Sequence, residues 1–277
     1  MGASDFVLYE YTPSLVAAVI FAALFFLTTV LHLWQRIRAH SNYFNPFIVG
    51  GIFQVIGYGA RCVSHFNKTS TIAYAMQSLF LLLAPILYAA SIYMVLGRVI
   101  RFVRGEHMSY IPVGIMTKVF VGGDILSFLL QAAGGGIMTG GSKSSFTIGQ
   151  WVIVGGLCVQ LVFFGAFLVS ALIFHSKILR HPTAESEQKM HLGSFWPRDW
   201  RGVLFACYVA SVLILIRSVY RLVEFIQGQQ GYVMTHEVFL YVFDATMMYF
   251  VMVLMNLRHP AHVLQQQNPS DSTEQKA

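Results

Sequence analysis

Apolar residues run along this chain in long blocks separated by short polar connectors. Seven blocks, at about 13–33, 46–64, 72–97, 113–134, 148–175, 201–223 and 237–256, approach or exceed the roughly 20 residues a helix needs to cross a hydrocarbon layer. No block alternates with period two over its length, which argues against β-barrel strands. The pattern predicts an all-α, polytopic bundle of seven membrane helices over residues 1–262. A polar, Gln-rich tail at 263–277 is expected to lack a fold. The third and fifth blocks are long enough to tilt or to project beyond the bilayer.

Composition agrees with the pattern. Charged residues make up 11% of the chain and apolar ones 56%, with a mean hydropathy of +0.62. Soluble domains carry about 25% charged residues. An ordinary cytosolic enzyme, a disordered chain and a nucleic-acid binder with a basic surface are thereby excluded. The net charge of +6 matters through its placement. Of the 18 Lys and Arg, twelve fall on one side: Arg36, Arg38, Arg98, Arg101, Arg104, Lys177, Arg180, Lys189, Arg198, Arg201, Arg258 and Lys276. Lys68 and Lys143 fall on the other, and Arg61, Lys118, Arg217 and Arg221 lie in or at the ends of blocks. The positive-inside bias then predicts a cytoplasmic C-terminus and an outside N-terminus. Asn67-Lys68-Thr69 is a glycosylation sequon on the outer side, close to the membrane. Trp196, Trp200 and Tyr110 flank blocks and suit interfacial anchoring. Cys62, Cys158 and Cys207 lie in apolar runs without ligand or framework spacing and read as packed thiols.

The informative residues are the polar ones inside the blocks. A charge at bilayer depth costs at least about 2.5–3.5 kcal/mol, so each needs a partner or a wet cavity. They recur at helical spacing. Gln54, Tyr58, Arg61 and His65 share one face of the second block. Asp124, Ser127 and Gln131 share one of the fourth, and Arg217, Arg221 and Glu224 one of the sixth. Glu237, Tyr241, Asp244 and Met248 share one of the seventh, while Gln77 and Gln160 add neutral groups to the third and fifth. By topology, Arg61, Arg217, Arg221, Glu237 and Asp244 fall in the outer half and Asp124 near mid-depth. Their faces are expected to converge on a polar cavity opening outward, or on an access route closed by ion pairs. Such a site suits an amphipathic ligand with a cationic or zwitterionic head, its amine received by Asp124 and Asp244. Buried Arg–carboxylate pairs that only fix helix packing are the plainer account.

Other signals are weaker. Pro85 removes a backbone donor inside the third block and predicts a kink. Gly134, Gly135 and Gly136 read as a flexible connector ending the fourth block, and Gly155 and Gly156 as sites of close helix packing. His32, His65, His175 and His236 differ in depth, and His-Glu-x-x-His does not occur, so neither an intramembrane zinc site nor a haem is expected. No cofactor is implied. Asp124 and Asp244 are the pair that could act as general acid and base if the chain were an intramembrane isomerase or cyclase.

The charged stripes also carry a family likeness. YTPSL at 11–15, GYGAR at 57–61, LAPILYAASIYMVLGR at 83–98 and GGDILSFLLQAAGGG at 122–136 are followed by GLCVQLVFFGAF at 156–167. The most specific stretch is IRSVYRLVEFIQGQQGYVMTHEVFLYVFDATMMY at 216–249, closed by Arg258-His259-Pro260. In order, spacing and span placement the chain resembles the fungal RTA-like, or lipid-translocating exporter, family of seven-helix membrane proteins. The matching polar positions are Arg61, Asp124, Gln131, Arg217, Arg221, Glu224, Glu237 and Asp244. One departure is Gln54, where the family pattern often has an acid. The resemblance implies a multi-pass protein, mainly of the plasma membrane or else an internal one. Its function would be moving or releasing lipids such as sphingoid long-chain bases. Other members are linked to resistance to toxic amphiphiles or to porphyrin uptake. The expected partners are membrane lipids and an amphiphilic small molecule, with the basic loops offering a surface to a cytoplasmic protein. A lipid-sensing receptor and an intramembrane enzyme are the alternatives to a transporter.

Overall fold

The structure is a computed structural model that describes residues 13–67, 70–138, 143–188, 199–228 and 231–261. Seven helices in it are long and apolar enough to cross a membrane, and the protein is an integral, multi-pass membrane protein. They are α1 (Leu15–Arg38), α2 (Asn45–Phe66), α3 (Thr71–Phe102), α4 (Val113–Met138), α5 (Lys143–Arg180), α6 (Trp200–Gln227) and α7 (Glu237–Leu257). Among the described residues there is no strand.

Local chemistry sets the helix ends. The Ser14 hydroxyl accepts from Ala17 N–H and the Ser70 hydroxyl from Ala73 N–H, each an N-cap satisfying an orphan donor. Asp199 caps α6 through the N–H groups of Arg201 and Gly202. Pro46 enters the first turn of α2, where no hydrogen bond is lost.

Each helix packs on its neighbours in sequence, α1 closes the ring on α7, and α3 also touches α6 across the middle. α3 is therefore the most enclosed helix, with 67% of its most apolar window buried against 28% for α1. Val16, Ile20, Phe26, Leu31 and Trp34 of α1 face outward, as lipid-facing residues do. Because lipid gives helices no hydrophobic reason to associate, close approach and polar contacts must hold them. A Cβ on Gly134 would lie 2.6 Å from the Gly149 carbonyl oxygen, and one on Gly156 would lie 2.9 Å from that of Ser127. α4 and α5 can touch backbone to backbone only because these positions lack side chains.

Several expectations need correcting. Gly134–Gly136 are not a connector: α4 continues to Met138, because Gly134 packs against α5 there. Gly155, unlike Gly156, faces open space. Trp200 is a core residue rather than an interfacial anchor, since its indole N–H donates to the Ser186 carbonyl at 3.2 Å. Tyr110 is exposed at the start of α4. Cys207 is packed as expected, Cys62 is half-buried and Cys158 is exposed on the helix surface. Trp196, the 263–277 tail, and Lys68 and Thr69 of the sequon lie outside the described residues.

Candidate functional site

The polar stripes of α2, α6 and α7 meet at the end of the bundle where the chain enters α1. At the rim, Arg61 Nη2 lies 2.6 Å from Glu237 Oε1, and Arg61 Nε donates to the Tyr241 hydroxyl at 3.1 Å. The Arg61 guanidinium carbon also sits 5.4 Å from the Tyr241 ring centroid. Both Glu237 oxygens accept from the Ser14 N–H, at 2.8 and 3.0 Å. The carboxylate thus sits on the N-terminus of α1, where orphan N–H groups and the helix dipole favour an anion. A second tie joins the His65 ring to the Pro13 carbonyl at 2.7 Å. The rim therefore ties α1, α2 and α7 together.

Seven residues further along α7, about 10 Å deeper at 1.5 Å per residue, lies the second pair. Arg217 Nε donates to Asp244 Oδ1 at 2.7 Å, and Nη2 reaches Oδ2 at 3.4 Å. Arg217 and Asp244 are 2% and 1% exposed, respectively. Nη2 also donates to the Leu81 carbonyl at 2.8 Å. That acceptor exists because Pro85, four residues on, has no N–H to offer it. Pro85 thus supplies the guanidinium with a backbone ligand, which the kink prediction missed, although the i−4 arithmetic could have found it.

α7 is irregular at this depth. Residues Tyr241–Ala245 form a π-helical turn between two α-helical segments. Such bulges concentrate at functional sites, and this one carries Tyr241 and Asp244. Beside it, Arg221 Nη1 and Glu224 Oε2 stand 2.6 Å apart along α6, and the Tyr220 hydroxyl donates to Glu224 Oε1 at 3.4 Å. Gln54 and Tyr58 of α2 are wholly buried, and Gln77 is buried on α3.

The structure keeps the α4 stripe out of this network. Asp124 Oδ2 accepts from the Tyr93 hydroxyl of α3 at 2.9 Å, Oδ1 has no hydrogen-bond partner, and among the described residues Asp124 makes no ion pair. The Tyr93 ring is flanked by Phe120, Phe164 and Phe167, with centroids 4.4–6.1 Å away. Further along, Ser127 donates to the Gly156 carbonyl at 2.7 Å, and Gln131 donates to Ser127 at 2.7 Å and to Gln160 at 3.3 Å. This seam joins α4 to α5. Asp124 and Asp244, paired above as acid and base, have different partners on different helices.

A third polar set was not anticipated. At the other end of α1 and α7, His32 bonds the Met252 carbonyl at 3.0 Å, Gln35 donates to the Asn256 carbonyl at 2.9 Å, and Asn256 donates to the Thr28 carbonyl at 3.3 Å. The period linking Thr28, His32 and Gln35 was available as a signal.

Comparison with known proteins follows the same map. The family described as RTA1 like protein matches residues 47–267, from the start of α2 past the end of α7. The chain belongs to that family. The RTA1-like match includes all three Arg–acid pairs of the site. The chain is 36% identical to Protoporphyrin uptake protein 1 of Saccharomyces cerevisiae, over 92% of each chain. It is 31% identical to Probable lipid transporter atnI of Emericella nidulans, over 93% of this chain and 68% of that one. It is 30% identical to Sphingoid long-chain base transporter RSB1 of S. cerevisiae, over 83% of this chain and 67% of that one. No solved structure matches it.

Proposed function

We propose that this RTA1-like protein translocates amphiphilic lipids, with sphingoid long-chain bases as the leading class, through the space now closed by the Arg61–Glu237 and Arg217–Asp244 pairs. The observation that carries the reading is the Arg217–Asp244 pair, buried at a π-turn and supported by a carbonyl that Pro85 frees. Packing alone gains little from such a pair, since apolar residues of similar volume often stabilise as well. The names of two relatives, lipid transporter and sphingoid long-chain base transporter, support the same reading.

The pairs act as exchangeable contacts. A ligand ammonium competes with a guanidinium for Asp244 or Glu237, and a ligand phosphate competes with the carboxylates for the guanidinium groups. Gln54, Tyr58, Gln77, Tyr241, Arg221 and Glu224 line the same interior. Asp124 and Gln131 stay outside it, in the polar seam that α4 forms with its neighbours. The acyl chain runs along Phe- and Met-rich walls. In this reading the N-terminus is outside, the basic loops face the cytoplasm and can engage a protein there, and the plasma membrane is the site of action.

Reconstitution into liposomes with labelled sphingoid bases, phospholipids and sterols tests this. Protein-dependent movement of at least one class is expected. It should be lost in Arg217→Gln combined with Asp244→Asn, a variant that leaves no unpaired charge. Ligand binding without movement would favour a sensor, and chemical conversion an enzyme.

A further inference from the structure

Three of the buried polar atoms without partners among the described residues lie together on one face of α2. Gln54 and Tyr58 are wholly buried on α2. Neither amide atom of Gln54 nor the hydroxyl of Tyr58 has a hydrogen-bond partner among the described residues. Four residues apart, they share a helix face one turn from each other. The Tyr58 ring is clamped, stacking on Phe25 at 5.4 Å and on Phe21 at 5.8 Å, so its C–O bond has a fixed direction. The Tyr58 ring centroid lies 6.4 Å from that of Tyr241, on the π-turn that also carries Asp244, which places Tyr58 close to the deep ion pair.

Buried amides and hydroxyls are rarely left without partners, because desolvating them is not repaid. Three orphan atoms together on one face therefore point to a group that arrives from outside the chain. Their chemistry narrows the choice. Gln54 presents a donor and an acceptor, and Tyr58 can serve as either. An ammonium would set its N–H groups against the Gln54 amide donors, and a phosphate or carboxylate would leave the Gln54 carbonyl facing another acceptor. An uncharged hydroxyl satisfies the set, since it donates and accepts at once.

We propose that Gln54 and Tyr58 form a subsite for a hydroxyl group of the translocated amphiphile, next to the charged contacts at Arg217 and Asp244. The subsite rests on the translocator reading and adds a selection rule to it. A ligand with a hydroxyl near its charged head satisfies the orphan atoms, whereas an analogue without it leaves them unpaired. Sites of this kind discriminate strongly against the analogue that lacks the group.

The test uses the full chain in lipid nanodiscs and two radiolabelled probes of equal chain length, a long-chain vicinal amino alcohol and the corresponding alkylamine. Wild-type protein is expected to prefer the amino alcohol by about tenfold or more, and Gln54→Leu and Tyr58→Phe should each bring that preference toward unity. Tyr58→Phe keeps the ring stack, so it carries the test if Gln54→Leu does not fold. Equal wild-type affinity for the two probes overturns the subsite and leaves translocation standing. Undiminished preference in both variants also overturns it and assigns the orphan atoms to a buried water. Binding of neither probe, with no lipid moved in liposomes, overturns the translocator reading and the subsite together.

Discussion

Two polar regions of one bundle use opposite chemistry. Where α2, α6 and α7 meet, Arg61, Arg217 and Arg221 each face an acid, and the contacts are charged. Between α3, α4 and α5, Tyr93 bonds Asp124, and separately Ser127 and Gln131 bond Gly156 and Gln160, and no cation takes part among the described residues. The neutral seam lies where glycines bring two backbones together, so short hydrogen bonds are enough to join α4 and α5. The charged region joins α2, α6 and α7 through ion pairs, the contacts that the proposed function would have a ligand displace. A seam of neutral bonds and a set of buried charges should respond differently when one partner is removed, and single substitutions should expose this difference.

The largest effect belongs to Asp244. Asp244→Asn leaves the Arg217 charge buried and without its carboxylate, which should cost about 3–5 kcal/mol. Detergent-driven unfolding in mixed micelles should show it as an early transition. Neutralising Arg217→Gln at the same time should recover most of the loss. If the double variant is as unstable as the single one, the pair itself, and not the stranded charge, carries the stability.

The next effect couples α3 to α6. In a Pro85→Ala background, the Leu81 carbonyl regains a helical N–H donor and needs Arg217 less. Removing the guanidinium should then cost about 1 kcal/mol less than in the parent. A double-mutant cycle measured in unfolding free energy reads this directly, and a coupling of zero would mean that the Arg217–Leu81 contact contributes nothing.

The rim should respond more weakly than the deep pair. Glu237 is partly open, with a side-chain exposure of 17%. Glu237→Gln keeps an acceptor for Ser14 and removes the ion pair, at about 1–2 kcal/mol. Amide exchange at Ser14 and the first turn of α1 should quicken while α4 and α5 keep their protection. Equal quickening in α4 would mean that the two regions open as one unit.

How much of this is legible in the sequence depends on the physics involved. Seven helices follow from hydropathy and length, and the shared faces of Arg61 with Tyr58, or of Asp244 with Glu237, follow from the helical period. Partner choice does not follow, because periodicity fixes a face and leaves open how each helix turns toward its neighbours. In sequence Asp124 is therefore equivalent to Asp244, whereas its partner in the structure is Tyr93, a residue that reads as core within an apolar run. Trp200 is misplaced by sequence because a boundary tryptophan reads the same whether it faces lipid headgroups or, as here, the Ser186 carbonyl. The π-turn leaves no sequence signal at all, since no proline or glycine occurs in Tyr241–Ala245.

The smallest expected effect separates the two regions most sharply. Asp124→Asn is the same chemical change as Asp244→Asn at a similarly buried position. The new amide would keep an oxygen for the Tyr93 hydroxyl, and no cation is left behind when the carboxyl goes. The change should alter stability by no more than about 0.5–1 kcal/mol, in either direction. Side-by-side unfolding of the two variants decides it. A loss at Asp124 as large as that at Asp244 would require a counter-charge for Asp124 and would erase the contrast between seam and pairs. A near-zero value beside a loss of several kcal/mol would set the buried charge that needs its counter-ion at Arg217 and not beside Asp124.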